Sequence, residues 1–247
     1  PGLVAFSLRS AARLICISQA VAGQFAGRAG ADRVRVIYDG LPLDGDCPAA
    51  PPFEKAPGEL LVGMVGRLHP QKGQADLLRA CAQIDPRLRA RSRFVFVGGA
   101  SPGYERLPGE LQALAHELGV ADRVAWLGFV EDARALTASF DILALPATRP
   151  EGLGGVLIEA MAARVPVIAT RAGGPIEVIA DGVSGLLVPP QKPATLARAL
   201  ELLLGDPLLR RRMGDAGRQA VEQRFSAAVA AAQVAAIYDE LLPRARS

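Results

Sequence analysis

Short apolar segments rich in Val and Ile alternate with longer helical patterns along most of the chain, and this alternation restricts the fold more than any other feature. The predicted strands are residues 14–17, 34–38, 60–65, 94–97, 124–127, 142–145, 167–169 and 186–188. The predicted helices between them are residues 74–83, 105–118, 133–139, 153–163 and 176–180. Several strands are apolar at every position, which is typical of strands buried on both faces. The pattern therefore predicts an α/β protein with a parallel sheet and helices on both faces.

Helical patterns alone follow residue 188, at residues 193–204, 207–223 and 226–242. Nearer the N-terminus, residues 41–58 contain five prolines without periodicity and are predicted to form a linker. The predicted units are a short piece at residues 1–40, the linker at 41–58, a main domain at 59–225 and a C-terminal helical segment at 226–247. Because the chain begins at Pro1 and its first segments resemble the interior of a domain, we expect it to begin partway through a longer protein.

The composition argues against several classes of protein. Half of the 247 residues are hydrophobic, enough for a sizeable core, and no run approaches the roughly 18 apolar residues of a membrane span. Arg9 and Arg13 interrupt the N-terminal segment, so we do not expect a signal peptide there. The net charge of +3 is too small to indicate nucleic acid and is equally compatible with an anionic small molecule. Cys16, Cys47 and Cys81 form neither a disulfide framework nor a zinc pattern, which favours a reducing compartment.

Polar and glycine-rich loops follow the predicted strands, where ligands bind an open parallel sheet. The loop after the third predicted strand reads GRLHPQKG and contains Gly66, Arg67 and Lys72. Two cations beside the start of a helix suit a phosphate or diphosphate, although solvated surface charges would give the same pattern. After the sixth predicted strand comes Glu151, and the GLGG run at residues 152–155 then presents backbone N–H groups at a second helix start.

Glu159 lies in the middle of a predicted helix whose neighbouring residues are nearly all apolar. A carboxylate there needs hydrogen-bond donors, because an unpaired buried charge is unfavourable. Sugar hydroxyls would supply donors in pairs; the alternative is that Glu159 belongs to the polar face of an amphipathic helix. Glycine-rich turns also follow the fourth and fifth predicted strands, the second of which includes Phe129 and Val130. Such turns could hold a nucleotide base through backbone groups or could be ordinary connections.

Four motifs occur in order between Ser18 and Val188: the GRL…KG loop, PEGLGGVLIEAMA with two glutamates eight residues apart, VPVIAT…GGPIEVI, and DGVSGLLV. Together they resemble the nucleotide-sugar half of retaining glycosyltransferases of the GT-B fold, in the glycosyl transferases group 1 family. The resemblance implies a Rossmann-like half of a GT-B fold with a helical C-terminal segment. It also implies transfer of a sugar from a nucleoside diphosphate sugar, such as a UDP-sugar, to an acceptor hydroxyl. The acceptor would be a glycan, a lipid or a small molecule, and nucleic acid is not an expected partner.

The resemblance also implies roles for individual residues. Arg67, Lys72 and Glu151 are the implied catalytic residues: the two cations would bind the donor diphosphate and stabilise it as the leaving group. Glu151 would face the donor sugar, and a covalent role for it is left open but not favoured. Glu159 would accept hydrogen bonds from the ribose. Further donor contacts are implied for Gly66, Phe129, Val130, Gly154 and Gly155, with Phe129 and Val130 beside the base. Such enzymes usually need no metal, no cofactor is implied, and no carboxylate pair here has metal-ligand spacing.

Three positions depart from the family pattern or receive no role. Leu153 replaces an aromatic residue of the family, and Arg164 stands where glycine is common. We expect Arg164 to be a cation at a helix C-terminus, strained if its φ is positive. Glu177 receives no role, and we expect its side chain to hold its own loop by a local hydrogen bond. The parent enzyme is expected in the cytoplasm, and peripheral association with the cytoplasmic membrane face is left open.

Residues 1–38 resemble only the end of the family's N-terminal acceptor domain, and residues 226–242 resemble the helix that crosses back onto it. We therefore expect the chain alone to bind a donor without transferring its sugar, because transfer needs a positioned acceptor. The alternatives left open are a non-catalytic nucleotide-sugar-binding module and a GT-B epimerase. A phosphorylase would need a lysine for pyridoxal phosphate, and Lys55, Lys72 and Lys192 have no such context. A dehydrogenase is least favoured, because no G-x-G-x-x-G segment opens a helix after a strand.

Overall fold

The computed structural model describes residues 10–25, 27, 30–43 and 55–242, and most of them fold around one parallel sheet of six strands. The strands of this sheet are β3 (Leu60–Val65), β4 (Ser92–Val97), β5 (Val124–Gly128), β6 (Ile142–Leu145), β7 (Val167–Thr170) and β8 (Gly185–Val188). They lie in the order β5-β4-β3-β6-β7-β8, and each neighbouring pair is parallel. A separate parallel pair joins β1 (Leu14–Cys16) to β2 (Val34–Val36).

Helices connect the strands and follow the last of them. They are α1 (Gln19–Ala22), α2 (Gln74–Gln83), α3 (Pro86–Ala90), α4 (Leu107–Glu117), α5 (Ala133–Ala138), α6 (Gly155–Ala162), α7 (Pro175–Val178), α8 (Pro193–Gly205), α9 (Pro207–Arg224) and α10 (Ala227–Leu241). Short 3₁₀ turns occur at Gly23–Phe25, Ala31–Arg33, Pro70–Lys72 and Ala121–Arg123. All eight predicted strands are present, and the sequence pattern missed only α1 and α3 among these helices, since four or five residues are too short to show helical periodicity.

The sheet separates two apolar cores, because successive side chains along a strand point to opposite faces. Val62 on β3 and Phe94 on β4 belong to the core that includes residues of α2, α4 and α8. Their neighbours Leu61 and Val95 belong to the other core, with residues of α5, α6 and α9. All four are almost completely buried, so both faces of the central strands are covered by helices. The predicted fold, a parallel sheet with helices on both faces, is therefore confirmed.

The strand order reverses between β3 and β6, and this reversal positions the candidate site. From β3 the chain continues outward through β4 to β5, and it then returns to β6 and continues outward through β7 to β8. Ligands of open α/β sheets bind outside the carboxyl ends of the strands at such a reversal. The loops that leave this point are residues 66–73 after β3 and residues 146–154 after β6.

The C-terminal helix α10 contacts the separate pair of strands. Ile237 and Glu240 line a gap opposite Arg35 and Ile37, the first on β2 and the second directly after it. The Glu240 carboxylate forms ion pairs with Arg13 and, at 3.5 Å, with Arg35. The domain boundaries given above remain a prediction, and residues 44–54 of the predicted linker, with Cys47, lie outside the described residues.

Arg164 has a φ of +60°, the condition under which strain was expected, and lies directly after Ala163, the C-cap of α6. A non-glycine residue in this region costs roughly 1–2 kcal/mol. Its guanidinium lies 2.6 Å from an Asp215 carboxylate oxygen on α9, and a Cβ at Gly214 would lie 2.0 Å from the Arg164 carbonyl oxygen. Leu153, the other departure from the family pattern, is buried in the core beside α6. Among the described residues, none of the helices is both long and apolar enough to span a membrane.

Candidate functional site

The two loops at the strand reversal hold each other in place. Gly73 has a φ of +83°, and a Cβ there would lie 1.9 Å from the carbonyl oxygen of Pro146. The Thr148 backbone N–H donates to the carbonyl oxygen of Gln71 across 2.8 Å. Gln74, which is buried, donates from Nε2 to the carbonyl oxygen of Arg67 at 3.0 Å. The backbone of the loop after β3 is therefore fixed by the loop after β6 and by the first residue of α2.

Arg67, Lys72 and Glu151 line one cleft of about 390 Å³ at this point. Lys72 Nζ lies 2.7 and 2.9 Å from the two carboxylate oxygens of Glu151, and both side chains are half-buried. Arg149, two residues before Glu151, lines the same cleft. The remaining lining residues are His69, Gln71, Ser101, Pro102, Tyr104 and Pro150. The structure therefore brings together the three residues predicted to be catalytic, although Lys72 and Glu151 are 79 positions apart along the chain.

The charge of the cleft favours an anionic ligand. Three cations and one carboxylate line it, and Glu151 is already paired with Lys72. Within the part of the chain that the structure describes, neither Arg67 nor Arg149 forms a side-chain hydrogen bond or ion pair. Their guanidinium groups therefore keep their donors for a ligand, and guanidinium is suited to bidentate contacts with phosphate or carboxylate.

His69 and Tyr104 form a polar, aromatic wall of the cleft. His69 Nδ1 accepts the Gln71 backbone N–H at 3.1 Å and so caps the 3₁₀ turn that carries Lys72, while its ring lies 4.4 Å from that of Tyr104. The hydroxyl of Ser101 is buried without a hydrogen-bond partner among the described residues. Sequence reasoning missed Arg149, Ser101 and Tyr104 as lining residues. The glycine-rich turn at residues 98–103 was the available signal for the last two.

The loop that carries Glu151 leads directly into α6. Gly154 precedes the helix with a φ of +86°, and among the described residues no side chain caps the helix start. The backbone N–H of Gly155 is therefore at an uncapped helix N-terminus, where an anion is favoured. On its other side this loop packs against the Gly-Gly pair after β7: the Gly174 N–H donates to the Glu151 carbonyl oxygen at 2.9 Å, and a Cβ at Gly173 would lie 2.3 Å from that same oxygen.

Glu159 is half-buried on α6 and does not line the cleft described above. Burial raises the pKa of this carboxyl group, the nearby Arg134 opposes that shift, and Asp132 adds to it. Among the residues that the structure describes, none donates a hydrogen bond to the carboxylate. A half-buried carboxylate with unused acceptor capacity is a candidate contact for a ligand that carries hydroxyl groups.

The loop after β5 lies near Glu159, because its last residue, Asp132, is one of the charged neighbours of that carboxyl group. Phe129 in this loop is 79% exposed, and Val130 is half-buried. Neither residue lines the charged cleft. The predicted site residues are thus divided between two places: a charged cleft at Arg67, Lys72 and Glu151, and an open surface near Glu159, Phe129 and Val130.

The Glu177 side chain was expected to make a local hydrogen bond within its own loop, and this expectation was wrong. Its carboxylate accepts hydrogen bonds from the backbone N–H groups of Gln19 (2.8 Å) and Ala20 (2.9 Å) and from the Tyr38 hydroxyl (3.1 Å). These partners lie more than 130 positions away along the chain, so Glu177 joins distant segments rather than its own loop.

Among the described residues, no three His, Cys, Asp or Glu side chains are grouped so that they could hold a metal ion. That the site works without metal or cofactor remains a prediction.

Known proteins resemble this chain in sequence over most of its length. A family model described as Glycosyl transferases group 1 matches residues 50–220. The D-inositol 3-phosphate glycosyltransferase of Streptomyces bingchenggensis is 35% identical over 246 residues, which cover 94% of this chain and 54% of that protein. The protein of the same name from Nocardia farcinica is 36% identical over 219 residues, which cover 84% of this chain and 48% of that protein. The chain thus spans about half the length of the curated relatives it matches.

Solved structures resemble the chain in fold. Anabaena HepE, in complex with UDP and glucose, matches with a TM-score of 0.86 and 29% identity, over 97% of this chain and 66% of that one. Sucrose-phosphate synthase from Thermosynechococcus elongatus matches with a TM-score of 0.83 and 29% identity, over 97% of this chain and 61% of that one. Both matches cover nearly the whole chain.

Proposed function

Because the chain belongs to the glycosyl transferases group 1 family, we propose that it is the donor-binding part of a retaining glycosyltransferase. Its fold is one half of the GT-B fold, as the family match and the HepE structure confirm. In the proposed reaction a sugar moves from a nucleoside diphosphate sugar to a hydroxyl group of an acceptor. A UDP-sugar is the proposed donor, supported by the UDP and glucose of the HepE complex.

Three cations around a single cleft support this function most directly. Arg67, Lys72 and Arg149 meet where the strand order reverses, which is where a parallel sheet of this kind binds its ligand. A donor diphosphate carries the negative charge that these groups would offset. The uncapped start of α6 at Gly155 adds a backbone N–H and the positive end of a helix.

The same groups would assist the chemical step. When the bond between the anomeric carbon of the sugar and the diphosphate oxygen breaks, negative charge develops on the departing diphosphate. Arg67 and Lys72 would stabilise that charge, and they need little rearrangement because the loop that carries them is already fixed by Gly73 and Gln74. Glu151 keeps Lys72 oriented through their ion pair and would face the donor sugar.

The remaining predicted residues would bind the nucleoside. Glu159 would accept hydrogen bonds from the ribose hydroxyls, which its half-buried and unpartnered carboxylate supports. Phe129 and Val130 would lie beside the base. Gly66 and Gly154 would let the backbone approach the phosphates and the sugar.

Two alternatives share these residues, namely a non-catalytic module that binds nucleotide sugars and a GT-B epimerase. They are not favoured, because the relatives carry the names of transferases and of a synthase. We propose a glycan, a lipid or a small molecule as acceptor and no role for nucleic acid, metal or cofactor. We also propose that the protein is located in the cytoplasm, which the buried free thiols of Cys16 and Cys81 support. Association with the cytoplasmic face of the membrane is the more specific alternative.

Titration calorimetry with UDP, GDP, ADP and their sugar derivatives tests the proposal. We expect one nucleoside diphosphate to bind, and we expect Arg67→Ala and Lys72→Ala each to weaken it about tenfold or more, because a hydrogen bond to a charged group contributes roughly 1.5–3 kcal/mol. Arg212→Ala, which removes an exposed arginine of α9, is the matched control. Unchanged affinity in both cleft variants would exclude Arg67 and Lys72 as diphosphate ligands.

The Lys72 variant allows a sharper test, because it leaves Glu151 unpaired beside the ligand. Glu151→Gln added to Lys72→Ala should restore part of the lost affinity for the nucleoside diphosphate, since it removes a repulsive charge from the cleft. If the double variant binds no better than Lys72→Ala, the two side chains do not share the diphosphate site.

A further inference from the structure

Three segments that are distant along the chain meet beside the charged cleft. They are residues 17–21, residues 151–152 and residues 173–177, and we call their meeting point the junction. None of the roles proposed above explains its contacts. The second segment includes Glu151, so the junction adjoins the residue proposed to face the donor sugar.

Ser18 lies at the centre of the junction and is completely buried. Its hydroxyl donates to the carbonyl oxygen of Gly152 at 2.5 Å and accepts the backbone N–H of Val21 at 3.0 Å. The second contact caps α1, as serine commonly does at helix starts. The first contact ties that cap to the residue that follows Glu151. A Cβ at Gly152 would lie 3.6 Å from the Ile17 Cδ1 atom, so the two segments leave no more room than a methyl group would fill.

Glu177 holds the same helix from another direction. Its carboxylate binds two backbone N–H groups at the start of α1, those of Gln19 and Ala20, and also the Tyr38 hydroxyl. Amides of a first helical turn have no partner within the helix, and a negative charge there is favourable. One side chain of the main domain therefore satisfies three donors from residues 19–38.

A short series of backbone contacts leads from Glu177 to Glu151. The Glu177 N–H donates to the Gly174 carbonyl oxygen at 2.8 Å, and the Gly174 N–H donates to the Glu151 carbonyl oxygen at 2.9 Å. The Gly173 backbone is in such close contact with Glu151 that a side chain would not fit between them. The backbone of the Glu151–Gly152 turn is thus held by Gly174 on one side and by Ser18 on the other.

We propose that Ser18 and Glu177 are positioning residues that fix the Glu151–Gly152 turn against the donor cleft. Residues 14–38 would then influence how the donor sugar is bound without touching it. This inference rests on the proposed function, in which Glu151 faces the sugar and the diphosphate binds Arg67 and Lys72. We expect the sugar to be affected more than the nucleotide, because the junction holds the backbone of the Glu151–Gly152 turn. The backbone of residues 66–73 is held instead by Pro146, Thr148 and Gln74, and the Lys72–Glu151 ion pair links the two places.

Calorimetry with two probes, UDP and UDP-glucose, tests the inference in the full chain. In Ser18→Ala and Glu177→Gln we expect UDP affinity to change less than twofold and UDP-glucose affinity to fall about three- to tenfold. The first variant loses one hydrogen bond, and the second replaces a charged acceptor with a neutral one. Ser226→Ala is the matched control: its hydroxyl accepts the Val229 N–H at 3.3 Å and caps α10 in the same way, but it does not reach the cleft. It should lower stability without changing the ratio of the two affinities.

Amide hydrogen exchange at Gly174 gives a second readout that needs no ligand. Loss of the junction should speed exchange of the N–H that donates to Glu151, in Ser18→Ala and Glu177→Gln but not in Ser226→Ala. An unchanged ratio of UDP-glucose to UDP affinity with unchanged Gly174 exchange overturns the inference, and so does an equal effect in the control. If the wild-type chain binds neither probe, the proposed function fails, and Gly174 exchange alone then decides whether Ser18 and Glu177 hold the turn.

Discussion

The loop after β3 and the loop after β5 both follow strands of the same sheet, yet their surroundings differ strongly. The first loop, residues 66–73, is fixed by contacts with Pro146, Thr148 and the side chain of Gln74. The second, residues 129–132 directly after Gly128, is open, and its first residue, Phe129, is 79% exposed.

The difference between the two loops agrees with the ligands that they are proposed to bind. Charged groups contribute most when their geometry is set before the ligand arrives, because then little entropy is lost and little reorganisation is needed. Lys72 is held in this way by Glu151, and the backbone that carries Arg67 is fixed by its loop contacts. A base is recognised largely through area, which tolerates a less ordered partner. The fixed loop is therefore suited to the diphosphate, and the open loop to the base.

The largest expected effect compares a glycine in the first loop with the glycine directly before the second. Gly73 and Gly128 both have positive φ, +83° and +65°, but a Cβ at Gly73 would meet the Pro146 backbone at 1.9 Å while one at Gly128 meets nothing within 4 Å. We expect Gly73→Ala to lower the free energy of unfolding by about 3 kcal/mol or more, because backbone strain and overlap add. Gly128→Ala should cost only about 1–2 kcal/mol, from strain alone. Urea denaturation measures both, and equal losses would show that the two loops are equally constrained.

The same contrast shows what could be predicted from the sequence. The strands were predictable because β3 and β6 are apolar at nearly every position, and α2 was predicted with its correct ends. The start of α6 was placed at Leu153, two residues early. Gly154 has a left-handed backbone conformation that keeps it out of the helix, and the sequence pattern does not show this conformation.

The meeting of Arg67, Lys72 and Glu151 in one cleft was predictable, because each lies in a loop that follows the carboxyl end of a strand. Arg149 was not predictable, because an exposed polar residue in a turn carries no periodic signal, and Tyr104 was marked only by the glycine-rich turn that precedes it. The contacts of Glu177 were missed for another reason: its partner Gln19 is 158 positions away, and a local pattern holds no information on such a pair.

Glu159 belongs to the open surface beside the loop after β5, and its variant should separate nucleoside binding from diphosphate binding. We expect Glu159→Gln to weaken binding of the nucleoside diphosphate about tenfold, since a neutral amide replaces a charged acceptor of ribose hydroxyls. Binding of free pyrophosphate, which has no ribose, should not change. Calorimetry with both ligands decides, and an equal loss for both would place Glu159 with the phosphates or assign it a structural role.

The raised pKa of Glu159 adds a pH test with a definite sign. Since burial holds the folded-state pKa above its unfolded value, the folded protein is stabilised by protonation, and that contribution is lost as pH rises through the raised pKa. Nucleotide affinity should move the other way and fall as pH is lowered through the same range, because the carboxylate is the acceptor. In Glu159→Gln both dependences should be absent, while at pH 7 the ligand-free variant should be no less stable than wild type. A variant that is both less stable and pH-dependent like wild type would contradict this assignment.

The smallest expected effect is that of Phe129→Ala on the open loop. An aromatic ring beside a base contributes roughly 1–3 kcal/mol when fully stacked, and a ring that stays largely hydrated should lie at the low end, so we expect a loss of about three- to fivefold. The loss should appear with UDP and be absent with pyrophosphate. Leu208→Ala is the matched control, because Leu208 on α9 is 78% exposed and lies outside both regions. Neither variant should change the free energy of unfolding by more than about 0.5 kcal/mol, since exposed side chains contribute little to it. If Phe129→Ala instead weakens UDP more than Arg67→Ala does, the open loop becomes ordered around the base on binding, and the fixed loop is not the main source of affinity.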